Sequence, residues 1–211
     1  MHIKKLGHCC LLIKTNGVTI MTDPGNYSTL QNEATGIDLV LITHEHRDHF
    51  HLESLKKVLE NNPNAKIITN SAVGKLLDTE GIAHEVVTEG GKSDGHGVLI
   101  EAYGHEHAGI YRNLYLVENT GYFIAGKLFY PGDAFTDPKR PVDILALPCI
   151  GPWMKISEAI EYAIRLKPRV AFPVHDGILK IPSLVHKAPS MILPEQGIEF
   201  IPMNEGDERE F

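Results

Sequence analysis

Ile37-Asp38-Leu39-Val40-Leu41-Ile42 runs directly into Thr43-His44-Glu45-His46-Arg47-Asp48-His49, and this stretch decides how the chain is read. The first segment is an apolar run of the kind expected of a strand buried on both faces. The second places three histidines and an aspartate within six residues. Imidazole and carboxylate are the expected ligands of zinc, manganese or iron at hydrolytic sites. In extended backbone, residues two apart point the same way, so His44 and His46 can share one ion. Asp48 and His49 come after the chain has curved, which suits a second ion nearby. Position 48 is Asp, so the spacing is not that of a helical His-Glu-x-x-His site. The bland alternative, a solvated polar loop, is disfavoured by this density of ligands directly after a buried strand.

The flanking segments alternate between strand and helix patterns. Cys10 to Thr15 and Val18 to Thr22 read as the first strands, and Asn16-Gly17 between them predicts a two-residue hairpin. Asp23-Pro24-Gly25 stops the second strand. Leu52, Leu55, Val58 and Leu59 keep helical spacing until Asn61-Asn62-Pro63. Lys66 to Thr69 is strand-like, and Ser71 reads as the N-cap of a short helix reaching Leu77. Strand patterns return at Val98 to Tyr103, Tyr122 to Ala125, Leu128 to Tyr130, Ile144 to Leu147 and Val170 to Val174. Ile156, Ala159, Ile160, Ala163 and Ile164 form one helix face. Ile198 to Ile201 reads as the last strand, followed by a frayed acidic tail. Hairpins followed by strand–helix units, repeated roughly twice, predict two sheets packed together with helices outside.

The 211 residues suit one domain, 1–211, with a full core. Net charge is -7 with no basic tail, which disfavours a nucleic-acid or membrane-surface binder. No apolar segment is long enough to span a membrane or resembles a signal peptide. Three cysteines, two of them adjacent, argue against a disulfide framework and for a reducing cytoplasm. Cys9, Cys10 and Cys149 are expected as small core residues. Nothing in the sequence opposes a homo-oligomer.

The histidine loop supplies too few ligands for two ions, so the others are sought on later loops that follow strands. His105 or His107, Asp133 and His175 fit. Asp133 follows Pro131-Gly132, where a small residue lets the backbone approach an ion closely, and a carboxylate there can bridge two ions. Taken together, His44-x-His46-x-Asp48-His49, a later histidine, Gly132-Asp133 and a strand-end histidine resemble the metallo-β-lactamase fold. Leu6-Gly7-His8, Thr22-Asp23-Pro24 and Tyr130-Pro131-Gly132-Asp133-Ala134-Phe135 resemble its lactonase-like branch, the ascorbate-6-phosphate lactonase-like hydrolases. The resemblance runs from Leu6 to His175.

The resemblance implies an α/β fold, a four-layer αβ/βα sandwich with the site along one edge of both sheets. It implies two divalent ions, Zn2+ first and Mn2+ or Fe2+ as alternatives. His44, His46 and His107 would hold one ion and Asp48, His49 and His175 the other, with Asp133 bridging; His105 is the alternative to His107. His8 and Asp23 either orient a ligand by hydrogen bonding or are a core histidine and a strand-end cap. Trp153 with Met154 either lines a substrate pocket or packs in the core. His2, His51, His84, His96 and His186 are expected at the surface.

The activity so implied is hydrolysis of a small-molecule lactone, ester or phosphodiester by a metal-bound hydroxide, with Asp48 as the catalytic carboxylate. A di-iron redox protein and a non-catalytic metal-binding module on the same fold are the rival readings.

Overall fold

The computed structural model describes residues 1–112, 114 and 116–211. Its first half builds one sheet from β1 (His2–Gly7), β2 (Cys10–Thr15), β3 (Val18–Thr22), β4 (Leu39–Leu41), β5 (Lys66–Thr69) and β6 (Glu85–Val86). A second sheet follows from β7 (Lys92–Gly95), β8 (Val98–Tyr103), β9 (Gly121–Ile124), β10 (Leu128–Tyr130), β11 (Ile144–Pro148), β12 (Val170–Val174) and β13 (Glu199–Phe200). The last strand, β14 (Glu208–Glu210), returns to the first sheet beside β1. The helices are α1 (Leu52–Asn61), α2 (Ser71–Thr79), α3 (Ile156–Leu166) and α4 (Ser183–Ile192).

Side-chain alternation explains both the layering and the unbroken apolar runs. Leu39 and Leu41 point into the core between the sheets, with Ile20, Tyr122, Ile144 and Phe172. Val40 and Ile42 point the other way, into a cluster with Leu55 and Val58 of α1 and Val73 and Leu77 of α2. The second sheet mirrors this: Leu145 and Leu147 meet Ala159, Ile160 and Ala163 of α3. The result is the α/β sandwich in four layers, helices–sheet–sheet–helices. No helix among the described residues is long and apolar enough to cross a membrane.

Local chemistry sets the turns. Thr15 pairs with Val18, and Asn16 and Gly17 take φ of 50° and 80°, the left-handed pair a type I′ hairpin requires. The α2 cap is Asn70 rather than Ser71: its side-chain oxygen accepts the Val73 N–H at 3.0 Å. The acidic tail is not frayed, since Ile3 pairs with Arg209 and Lys4 with Glu208. All three residues of β14 are exposed, so backbone pairing rather than side-chain burial holds that strand, and no hydrophobic period marks it. The predicted final strand shortens to β13, while β1, β6, β7 and α4 are elements the patterns did not mark.

Within the second sheet, Glu101 lies opposite Lys92, with Nζ to Oε1 at 2.8 Å, and Arg140 reaches its other oxygen at 2.5 Å. The Lys92 hydrogen bond, with Arg140 beside it, holds the Glu101 carboxyl below its usual range against burial. A depressed carboxyl pKa contributes stability above the unfolded-state value, and that contribution is lost as pH falls through the folded-state value. Glu101→Gln should therefore cost about 1 kcal/mol at pH 7 in urea denaturation, with the difference shrinking toward zero as the pH is lowered through that range.

Candidate metal centre

The site gathers at one edge of both sheets because the strands feeding it run the same way. β1 and β3 are each antiparallel to β2, and β4 is parallel to β3. β8 and β10 are each antiparallel to β9, and β10, β11 and β12 are parallel. His8 follows β1, Asp23 follows β3, Thr43 to His49 follow β4, Asp133 follows β10 and His175 follows β12. Ligand sites of open α/β sheets form at such carboxyl ends.

The backbone bends sharply there. His8, Asp23 and His175 take positive φ of 42°, 37° and 63°, a region non-glycine residues seldom enter. Gly25 is required by contact, since a Cβ on it would lie 1.8 Å from the Asp48 carbonyl oxygen. Gly132 combines φ of 65° with an approach in which a Cβ would lie 2.3 Å from Asn119 Oδ1. Asn119 in turn accepts the Asp133 N–H at 3.0 Å.

Hydrogen-bond partners assign the imidazole tautomers. His49 Nδ1–H donates to Asp23 Oδ2 at 2.7 Å. His107 Nδ1–H donates to the Ala108 carbonyl at 2.6 Å, and His175 Nδ1–H to the Ile150 carbonyl at 2.5 Å. The Thr43 hydroxyl donates to Asp23 at 2.7 Å, so it accepts from His44 Nδ1–H at 3.0 Å. Each of these four rings therefore turns an Nε2 lone pair inward.

The inward nitrogens meet carboxylates. Asp133 Oδ1 lies 3.1 Å from His49 Nε2, and its Oδ2 lies 3.3 Å from His107 Nε2 and 2.9 Å from His175 Nε2. Asp48 Oδ2 lies 3.5 Å from His175 Nε2 and 3.8 Å from His49 Nε2. The four Nε2 atoms and Asp133 Oδ1 are buried without a well-formed hydrogen bond among the described residues. Lone pairs facing carboxylates repel unless positive charge lies between them, so the donor set fits bound cations. His44, His46 and His107 also offer ligand atoms within 4.8 Å of one another, as do His44, His49 and Asp133.

The chain also matches known proteins. A family profile described as "Beta-lactamase superfamily domain" covers residues 2–175. The chain belongs to the beta-lactamase superfamily. Protein Rv0786c of Mycobacterium tuberculosis is 34% identical over 184 residues, 85% of each chain. UPF0173 metal-dependent hydrolase Ta0764 of Thermoplasma acidophilum is 29% identical over 80% of each. Igni18, a metallo hydrolase from Ignicoccus hospitalis, superposes with a TM-score of 0.79 at 22% identity, covering 100% of this chain and 98% of that one. The fold is the metallo-β-lactamase fold.

In this superfamily member, burial and the two carboxylates push the imidazoles of the cluster in opposite directions. Burial lowers the His44 and His46 pKa values below the ordinary imidazole range. At His49 and His175 burial is overcome, chiefly by Asp133, and both are raised well above it. Asp133 is depressed against burial by His175 and His49, and Asp48 against burial by His175 and His8.

The structure brings His44, His46, Asp48, His49, His107, Asp133 and His175 together. His105 stays outside, its side chain 65% exposed and facing Glu89 and Glu106. His8 and Asp23 are both buried at the cluster: Asp23 holds His49, and His8 Nε2 lies 3.3 Å from Asp48 Oδ2. Trp153 bonds the site, its Nε1–H donating to Asp133 Oδ2 at 2.9 Å. Cys9 is buried as expected, yet it lies among His8, His49 and His175, which offset burial and bring its thiol down to about 6. His186, expected at the surface, is buried against Asp176. Thr43, Asn119 and Tyr130 escaped the sequence reading, because a single hydroxyl or amide near a strand end carries no pattern.

Raised imidazole pKa values mean that metal uptake must displace protons at neutral pH. Zn2+ affinity should rise with pH across the neutral range, and calorimetry in buffers of different ionisation enthalpy should detect proton release. Equal heats in all buffers would contradict this. Asp23→Ala should lower Zn2+ affinity about 10–100-fold in a chelator competition.

Proposed function

We propose that the protein is a hydrolase holding two divalent ions, Zn2+ in the first instance. His44, His46 and His107 would hold one ion and Asp48, His49 and His175 the other, with Asp133 between them. The convergence of inward Nε2 lone pairs on two carboxylates, beneath an open cleft, carries this reading. The Thermoplasma acidophilum relative, named a metal-dependent hydrolase, supports it. Bound ions would supply Lewis-acid polarisation of the scissile group and an acidified water.

The chain's own residues supply positioning and proton movement. Asp48 lines the cleft with its side chain 21% exposed, against 3% for Asp133, and His8 Nε2–H tethers one of its oxygens. It is therefore the carboxylate that can take a proton from the attacking water and return it to the leaving group. Trp153 fixes Asp133 through its indole N–H and forms part of the cleft wall.

The cleft, about 450 Å³, suits a small molecule. Tyr27, Ile110, Pro152 and Trp153 give it an apolar wall, and Arg47, exposed at its mouth, is the only Lys or Arg among the described residues that line it. A lactone or ester bearing a carboxylate or phosphate matches that lining, and the lactonase-like motifs favour the same class.

Zn2+-loaded protein should hydrolyse members of a panel of lactones, thioesters and phosphodiesters. Asp48→Ala should lower kcat/KM by roughly 10²-fold or more with the fold intact by circular dichroism. Undiminished turnover in that variant would remove Asp48 from the mechanism. Redox-active di-iron in the purified protein, with no hydrolysis, would overturn the reading.

A further inference from the structure

Behind the site lies a second buried charge cluster that the hydrolytic reading does not use. Lys5 on β1, Asp176 and His186 on α4 are 1%, 2% and 4% exposed. Lys5 Nζ donates to Asp176 Oδ1 at 2.6 Å, to the Pro173 carbonyl at 2.9 Å and to the Met203 carbonyl at 3.1 Å. These three acceptors match the three hydrogens of an ammonium group. His186 Nε2–H donates to the other carboxylate oxygen at 2.7 Å. The clamp joins β1, the end of β12, α4 and the segment before β14.

A buried ion pair is weak evidence of added stability, because desolvation offsets the attraction. The neighbours of Asp176 suggest a different role. On one side His175, at φ of 63°, turns its Nε2 into the site, and its N–H donates to the His8 carbonyl at 3.2 Å. On the other side the Gly177 N–H donates to His8 Nδ1 at 3.2 Å. That bond fixes the His8 proton on Nε2, which faces Asp48. Gly177 is confined here too, since a Cβ on it would lie 2.9 Å from His8 Cβ. Three consecutive residues thus anchor the chain below and aim two imidazoles above.

We propose that Asp176, clamped between Lys5 and His186, is a positioning residue that sets His175 and His8 and, through them, the Asp48 side of the site. His44, His46 and His107 are carried by other loops and should be indifferent to it. The imidazoles thus rest on separate supports: Asp23 and Thr43 under His49 and His44, and Asp176 under His175 and His8.

The test reads the imidazoles directly, by long-range 15N–1H correlation spectra of the full chain without metal and with Zn2+. His186→Leu should move the His175 and His8 nitrogen signals and leave those of His44 and His107 in place. His186→Gln, whose amide can donate to the same carboxylate oxygen, should restore the native spectrum. Asp176→Asn, an isosteric change, is read in the same way should the leucine variant not fold. In calorimetric titration with Zn2+, one of the two binding steps should weaken about 10-fold or more in His186→Leu while the other holds.

Unchanged His175 and His8 signals, equal movement of His107, or a glutamine variant no better than leucine would each overturn the proposal. Only the titration rests on the two-ion reading. A single step in the native protein would refute that reading, while the spectra would still decide the role of Asp176.

Discussion

One buried carboxylate organises the site. Asp23 is fully buried and accepts the Thr43 N–H and hydroxyl at 2.8 and 2.7 Å, His49 Nδ1–H at 2.7 Å and the Tyr130 hydroxyl at 2.5 Å. Those donors come from the loop after β4 and from β10 in the opposite sheet. An ionised carboxylate is tolerable in such a place only when its lone pairs are answered. The requirement therefore ties the end of β3, the histidine loop and the second sheet to one another. The orientation of His49, and through Thr43 that of His44, follows from it.

The same logic runs outward in layers. Backbone carbonyls hold the Nδ1–H groups of His107 and His175, so polar groups the fold must satisfy anyway are spent on aiming ligands. Asp133 lies between the inward nitrogens and is fixed from behind by Trp153 and Asn119. The cluster carries more lone pairs than hydrogens, which is the opposite of an ordinary hydrogen-bonded core. Charge from outside the chain completes it.

Much of this was legible in the sequence for a physical reason. Strands buried on both faces leave long apolar runs, and ligands for a metal must be imidazole or carboxylate, so Ile37 to His49 declared both strand and site. Asn16-Gly17 declared the hairpin because few other residue pairs accept its two positive φ angles. Elements held by backbone pairing alone were invisible: β14 presents three exposed charged residues, and nothing in Glu208-Arg209-Glu210 implies a partner strand. The residues that support the ligands were equally silent. Thr43, Asn119, Tyr130 and His186 act through hydrogen bonds whose partners stand at no regular spacing from them in the chain, and such bonds leave no pattern to detect. His8 and Asp23 drew notice through the resemblance and through their places at the two ends of the first hairpin. Of His105 and His107, the fold buries His107 beside Asp133 and leaves His105 exposed.

The left-handed conformations of His8, Asp23 and His175 carry a consequence for how such a protein can change over generations. Each is held in a backbone region that costs on the order of 1–3 kcal/mol for a non-glycine residue. Glycine or asparagine would relax the chain at each position, yet neither could supply the imidazole or carboxylate needed there. At His8 and His175, selection for durability alone would drift toward those replacements, and selection for the chemistry would oppose it. Descendants that lose the activity should therefore lose the His8 and His175 side chains early, while Asp23, whose oxygens answer four buried donors, stays with the sandwich.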